Sequence, residues 1–299
     1  MEKNIKIDFI GVGAPKCGTT WIYQCLDEHP EICMGKPKEI HYFNKYHGFE
    51  NPKKGRDYDK KGLSEYFKHF THCPSKSIIG EYSAKYLYDI KAAQIIKTNF
   101  PNVKIIICLR NPSERSYSIY NHVISKHPDL FASFEDALKK EKDIKEWSRY
   151  YRYVKNYFDL FPAENILIVI YEDMKKNPIK FIQKIYKFIG VDKDYIPKTA
   201  EIKLNTAKAR HSKMNKTAMG MIYKTYPLLK KVPIIKNILK YFKNSGINVK
   251  IKKIINKLTI RNNRGEIKEG TKKYLNDFFQ DDIKKLEKLL RYEIEQWKK

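Results

Sequence analysis

From Phe9 to Trp21 the chain reads Phe-Ile-Gly-Val-Gly-Ala-Pro-Lys-Cys-Gly-Thr-Thr-Trp, and no other stretch leaves it less freedom. Ile5 to Val12 alternates and then turns apolar throughout, as a strand buried on both faces does. Gly13 and Gly18 let the backbone turn sharply and come close to a ligand. Thr19 and Thr20 then open a helix expected to run to about Glu28, whose free amides and dipole favour an anion. Strand, glycine turn and helix N-terminus in that order describe a cradle for phosphate, and the two threonine hydroxyls add donors.

The spacing of Gly13 and Gly18 matches a nucleotide-binding P-loop, but the lysine does not. In that pattern lysine follows the second glycine. Here Thr19 follows Gly18 and the lysine, Lys16, lies inside the loop. That displacement, together with the lack of an evident acidic magnesium site, disfavours a P-loop kinase, the nearest enzymatic alternative.

A second strand, Val103 to Leu109, follows the turn Asn99-Phe-Pro-Asn102 and runs into Arg110-Asn-Pro-Ser-Glu-Arg-Ser-Tyr-Ser118. Pro112 suits the entry to a helix, and Ser113 or Glu114 its first turn. Arg110 then stands at the carboxyl end of a strand, where open α/β sheets bind ligands. Ser118, about two turns along, can face back towards it. The planar fork of arginine suits phosphate. Two anion sites on neighbouring strands fit a nucleotide with phosphates at both ends of its ribose.

These blocks resemble the PAPS-dependent sulfotransferases, most of all the carbohydrate branch typified by the heparan sulfate enzymes. Ala14 to Trp21 is similar to that family's 5′-phosphosulfate loop, and Leu109 to Tyr120 to its 3′-phosphate motif. Lys36-Pro-Lys-Glu-Ile-His-Tyr-Phe43, Phe161 to Met174, Lys187 to Gly190 and Leu275 to Trp297 resemble further family blocks in family order. The resemblance implies a P-loop-like three-layer α/β fold with a central parallel sheet flanked by helices. It implies PAPS as donor, PAP as product and no required metal. Lys16, Cys17, Gly18, Thr19, Thr20 and Trp21 are then expected at the 5′ end of the nucleotide, and Arg110 and Ser118 at its 3′-phosphate. Lys16 is expected to assist the leaving oxygen. Glu81, in Gly80-Glu-Tyr-Ser-Ala-Lys-Tyr86, is expected as general base by likeness to a Glu-Lys-Ser/Thr segment, although Tyr82 replaces the lysine and Lys85 comes later. His41 is the rival base.

Length and charge bound the rest. A chain of 299 residues has room for one large domain, and one sulfotransferase domain is expected over 1–299. Phe134 to Phe161 reads as helical and dense in aromatics, Asn165 to Tyr171 as a strand, and Pro178 to Ile189 as a helix. Lys272 to Trp297 reads as an amphipathic terminal helix packed across the sheet. The formal charge of +26 calls for an anionic partner. An acceptor that is anionic or carbohydrate is expected, with no specific nucleic acid, because no nucleic-acid motif accompanies the charge. A non-catalytic polyanion-binding protein is the alternative on charge alone. Ile202 to Gly265 holds no Asp or Glu, so a basic helical insertion at about 203–265 is expected, suited to a polyanion or an acidic membrane surface. Lys208 and Arg210 resemble a basic loop that closes over the cofactor's 3′-phosphate in the family, and Arg261 or Arg264 could fill that role instead. The five cysteines, odd in number and without metal spacing, read as reduced thiols. With no secretory signal or spanning stretch evident, the expected location is the cytoplasm, peripheral to the inner membrane surface at most.

Overall fold

The computed structural model describes residues 5–45, 56–75, 77–127, 129–200 and 267–298. The expected basic insertion at 203–265, with Lys208, Arg210, Arg261 and Arg264, lies outside them.

Five parallel strands form one sheet in the order β2-β3-β1-β4-β5. They are β1 (Phe9–Gly13), β2 (Ile32–Met34), β3 (Ile78–Tyr82), β4 (Lys104–Leu109) and β5 (Ile166–Ile170). Every β1 residue is buried, which is why that strand has no polar alternation to read. β3 and β4 flank it, with Ile10 opposite Glu81 on one side and Ile105 on the other, and the register against β4 shifts between Gly11 and Gly13.

The helices follow in chain order: α1 (Thr19–Asp27), α2 (Asp57–Lys61), α3 (Ser64–Phe67), α4 (Ile90–Asn99) and α5 (Pro112–Lys126). Then come α6 (Phe134–Lys140), α7 (Asp143–Glu146), α8 (Tyr151–Leu160), α9 (Tyr171–Lys176), α10 (Pro178–Ile189) and α11 (Glu269–Leu290). The β1–α1–β2 and β3–α4–β4 crossovers run in opposite directions across the sheet. Right-handed connections therefore put α1 and α4 on opposite faces. α10 joins α1, where Trp21 meets Phe181 at 6.0 Å and the Tyr186 hydroxyl donates to the Cys25 carbonyl at 2.7 Å. α8 joins α4. This is the expected three-layer α/β architecture, and the reversal of direction at β1 opens a crevice at the carboxyl ends of β1 and β4.

Three expectations need correction. Phe134 to Phe161 is broken into α6, α7 and α8, with α8 started by Asp282 of α11, whose carboxylate accepts from the Tyr151 amide at 3.2 Å. α11 ends at Leu290 and packs on α5 and α8 rather than on the sheet. The chain then turns back so that Trp297 donates to Glu172 at 3.1 Å. Finally, Cys33 and Cys73 form a disulfide, tying β2 to the segment before β3. Cys17, Cys25 and Cys108 are free and buried. The thiol argument for a reducing compartment therefore falls. No helix among the described residues is long and apolar enough to cross a membrane.

Candidate active site

The crevice at β1 and β4 holds a cavity of about 490 Å³ lined by Lys16, Gly18, Thr19, Thr20, Arg110 and Ser118. Six of the eight residues expected at the nucleotide thus meet in one place. Gly18 is left-handed at φ 83, and a Cβ there would stand 2.9 Å from Met174 Cε, so the turn into α1 is closed to larger residues. No side chain caps α1, which leaves its first amides for the cavity.

Cys17 and Trp21 are not at the cavity by their side chains. Cys17 is fully buried, and burial pushes its thiol up to about 11, which rules it out as a nucleophile at neutral pH. Trp21 packs on Phe181 and donates its indole N–H to the Thr199 carbonyl at 3.3 Å.

Arg110 stacks 4.8 Å from the Tyr171 ring centroid and pairs with Glu114 at 3.2 Å. Its Nε is buried with no acceptor. Arg115, which the sequence reading passed over, is fully buried in the same wall. Its Nε donates to the Pro15 carbonyl at 3.0 Å and Nη1 to Ser148 Oγ at 2.9 Å, so it holds the loop. Its Nη2 has no acceptor and no carboxylate pairs with it among the described residues. Buried guanidinium groups are ordinarily paired. Two unsatisfied N–H groups, a free helix N-terminus and Lys16 are a donor set suited to phosphates.

Glu81 is not at the cavity. It is 1% exposed inside the sheet, accepting from Tyr66 at 2.9 Å, Tyr86 at 3.0 Å and Ser83 at 2.6 Å. Burial raises its carboxyl to about 7 against the pull of those three hydroxyls. Ser83 Oγ also accepts from the His41 amide at 3.0 Å, and the Tyr86 hydroxyl from the Tyr42 amide at 2.8 Å. Glu81 therefore anchors, through two hydroxyls, the loop that carries the carboxylate at the cavity.

That carboxylate is Glu39. His41 Nε2 donates to it at 2.7 Å and Lys38 Nζ at 3.2 Å, while Lys38 also reaches Thr20 Oγ1 at 3.4 Å. Burial alone would raise its pKa, but the His41 hydrogen bond and the charges of His41 and Lys38 hold it at about 2. Glu39 is thus held ionised in the cavity that Lys16 also lines, with His41 hydrogen-bonded to it. The signal for it was present in Lys36 to Phe43, where a glutamate precedes histidine by two residues. Lys85 also lines the cavity, adding a cation to its wall. Tyr82 fastens the loop, its hydroxyl donating to the Gly13 carbonyl at 2.8 Å.

The comparisons with known proteins bear on the family. The sulfotransferase domain family model matches residues 6–298. The membrane-associated sulfotransferase kil1 of Dictyostelium discoideum is 35% identical over 147 residues, 46% of this chain and 29% of its own. A human bifunctional heparan sulfate N-deacetylase/N-sulfotransferase 3 is 27% identical over 209 residues, 61% of this chain and 22% of its own. The chain thus spans less than a third of the length of these curated relatives. A sulfotransferase from Alicyclobacillus acidocaldarius shares the fold with a TM-score of 0.68 at 21% identity, covering 99% of this chain and 100% of that one. With a family model matching nearly its whole length, the chain belongs to the sulfotransferase domain family.

Proposed function

We propose that the protein transfers a sulfuryl group from PAPS to a hydroxyl or amine of a carbohydrate acceptor, with Glu39 as general base, and releases PAP. The observation that carries this reading is the cavity where Lys16, Thr19, Thr20, Arg110, Arg115 and Ser118 meet with two buried guanidinium N–H groups unsatisfied. The carbohydrate acceptor is supported by the name of the heparan sulfate relatives. PAPS, when bound, supplies the sulfuryl group and a phosphate leaving group. Thr19, Thr20 and the α1 amides hold the 5′-phosphate, and Arg110 and Ser118 the 3′-phosphate. As the bond from sulfur to the phosphate oxygen breaks, Lys16 stabilises the charge left on that oxygen. Glu39 takes the proton from the acceptor as its oxygen or nitrogen bonds to sulfur. Arg115 keeps Pro15 and the loop in place.

Calorimetric titration with PAP, against 5′-AMP and ATP, tests the two-phosphate site. PAP is expected to bind at least tenfold more tightly than 5′-AMP, and Arg110→Ala to remove that preference, as loss of a charged phosphate contact does. Binding of ATP with magnesium but not PAP would sink the reading.

A further inference from the structure

Beside the donor cavity, and sharing Lys85 and Trp147 with it, lies a smaller one of about 230 Å³ lined by Lys85, Tyr88, Asp89, Asp143, Trp147 and Tyr153. We propose that it is the acceptor subsite and that it takes a neutral, hydroxyl-bearing sugar ring rather than an anionic saccharide. The proposal deepens the carbohydrate reading above and rests on it.

The wall is aromatic and fixed. Tyr88 and Trp147 stack at 4.9 Å with 22° between planes, and Tyr153 meets Tyr88 edge-on at 4.8 Å. Such a surface covers the C–H face of a pyranose, and rigid aromatics contribute contact area at low entropic cost. The volume lies below that of pockets for drug-sized ligands, which fits a single ring.

The polar groups decide which ring. Asp89 is already spent: its carboxylate takes Arg56 at 2.9 and 3.0 Å, the Lys45 amide at 2.9 Å, and two amides of α4. Asp143 is different. No donor reaches its carboxylate among the described residues, and burial raises its pKa against the pull of Arg152. The Tyr88 hydroxyl is buried with no partner. A carboxylate accepts from sugar hydroxyl pairs, and a phenol can donate to a ring or hydroxyl oxygen. A plain phenol as acceptor would meet the aromatic wall but leave these groups unpaired.

Charge gives the selection against anions. The donor cavity is lined by Lys16, Lys85, Lys126, Arg110 and Arg115 against one carboxylate, Glu39. The smaller cavity has two carboxylates against one ammonium, with Arg56 balancing Asp89 and Arg152 near Asp143. Its own lining therefore carries more carboxylate than ammonium, on a chain whose net charge is +26. A carboxylate or sulfate beside Asp143 would meet its repulsion, offset only in part by Lys85 and Arg152, whereas a neutral ring meets none.

The test uses the full chain saturated with PAP. Methyl hexosides, the matching hexuronides and N-sulfated hexosamines are titrated by saturation-transfer NMR, with PAP affinity measured on every variant. The neutral hexosides are expected to bind at least tenfold more tightly than the charged sugars. Asp143→Asn should weaken them about tenfold and leave PAP affinity unchanged, and Trp147→Leu should remove their signal. Charged sugars binding as well as neutral ones, or Asp143→Asn without effect, would overturn the subsite while PAP binding still upholds the donor site. A chain that binds no PAP would overturn both.

Discussion

Two glutamates that look alike in a list of residues are separated by their surroundings. Glu39 lines the cavity and is held at about 2 by His41 and Lys38 despite its burial. Glu39→Gln should lower kcat by about 10²–10⁴-fold with PAP affinity retained, as read by single-turnover assays and titration. Because Glu39 stays ionised, kcat/KM should hold level as pH falls from about 8 to 5. A loss already between about pH 7 and 6 would assign the proton to a histidine instead. Glu81 behaves oppositely. Its pKa rises from 4.5 to about 7, so its contribution to stability is full below 4.5 and is lost as pH rises through 7. The loss is on the order of 3 kcal/mol. Urea unfolding at several pH values should show that slope in the wild type and a flatter one in Glu81→Gln. Lys16, Thr19, Arg110 and Ser118 line one cavity as expected, because local turns at strand ends position them. That Glu81 lies away from this cavity and Glu39 in its wall was not legible, because the two differ in what the sheet folds over them.

At the scale of elements, strands and caps were legible where local rules decide them. α10 matches its expected span because Asn177 caps it, Pro178 opens it and Gly190 ends it. The break between α7 and α8 was not legible, because its causes are distant in sequence. Ser148 is drawn inward to Arg115, and Tyr151 is capped from α11. The disulfide was equally out of reach, since pairing of Cys33 with Cys73 across 40 residues follows from sheet order. β2 is a three-residue edge strand, so the bridge is a main fastening there. Replacing both cysteines by serine, or adding reductant, should cost about 3 kcal/mol and lower Tm by roughly 5–10 °C, measured by calorimetry. Unchanged melting would show the bridge to be absent in solution.

For the molecule as a whole, the charge of +26 makes capture of a nucleotide with several phosphates a long-range event. The association rate for PAP should fall about tenfold from low to moderately high salt in stopped-flow measurements, more steeply than the dissociation rate. A rate indifferent to salt would confine the charge to other roles. Arg115 carries the largest consequence. Its guanidinium is buried, tethers the loop and α5 to Ser148, and meets no carboxylate among the described residues. On the proposed reading the donor's phosphates would offset that charge, and nucleotide binding would stabilise the folded chain. A saturating excess of PAP, at about 100 times Kd, should add about 2.7 kcal/mol to the folded state. Proteases sample the opened chain, so the lifetime of this enzyme in a cell should follow the supply of activated sulfate: scarce donor would thin its numbers before it slowed its turnover.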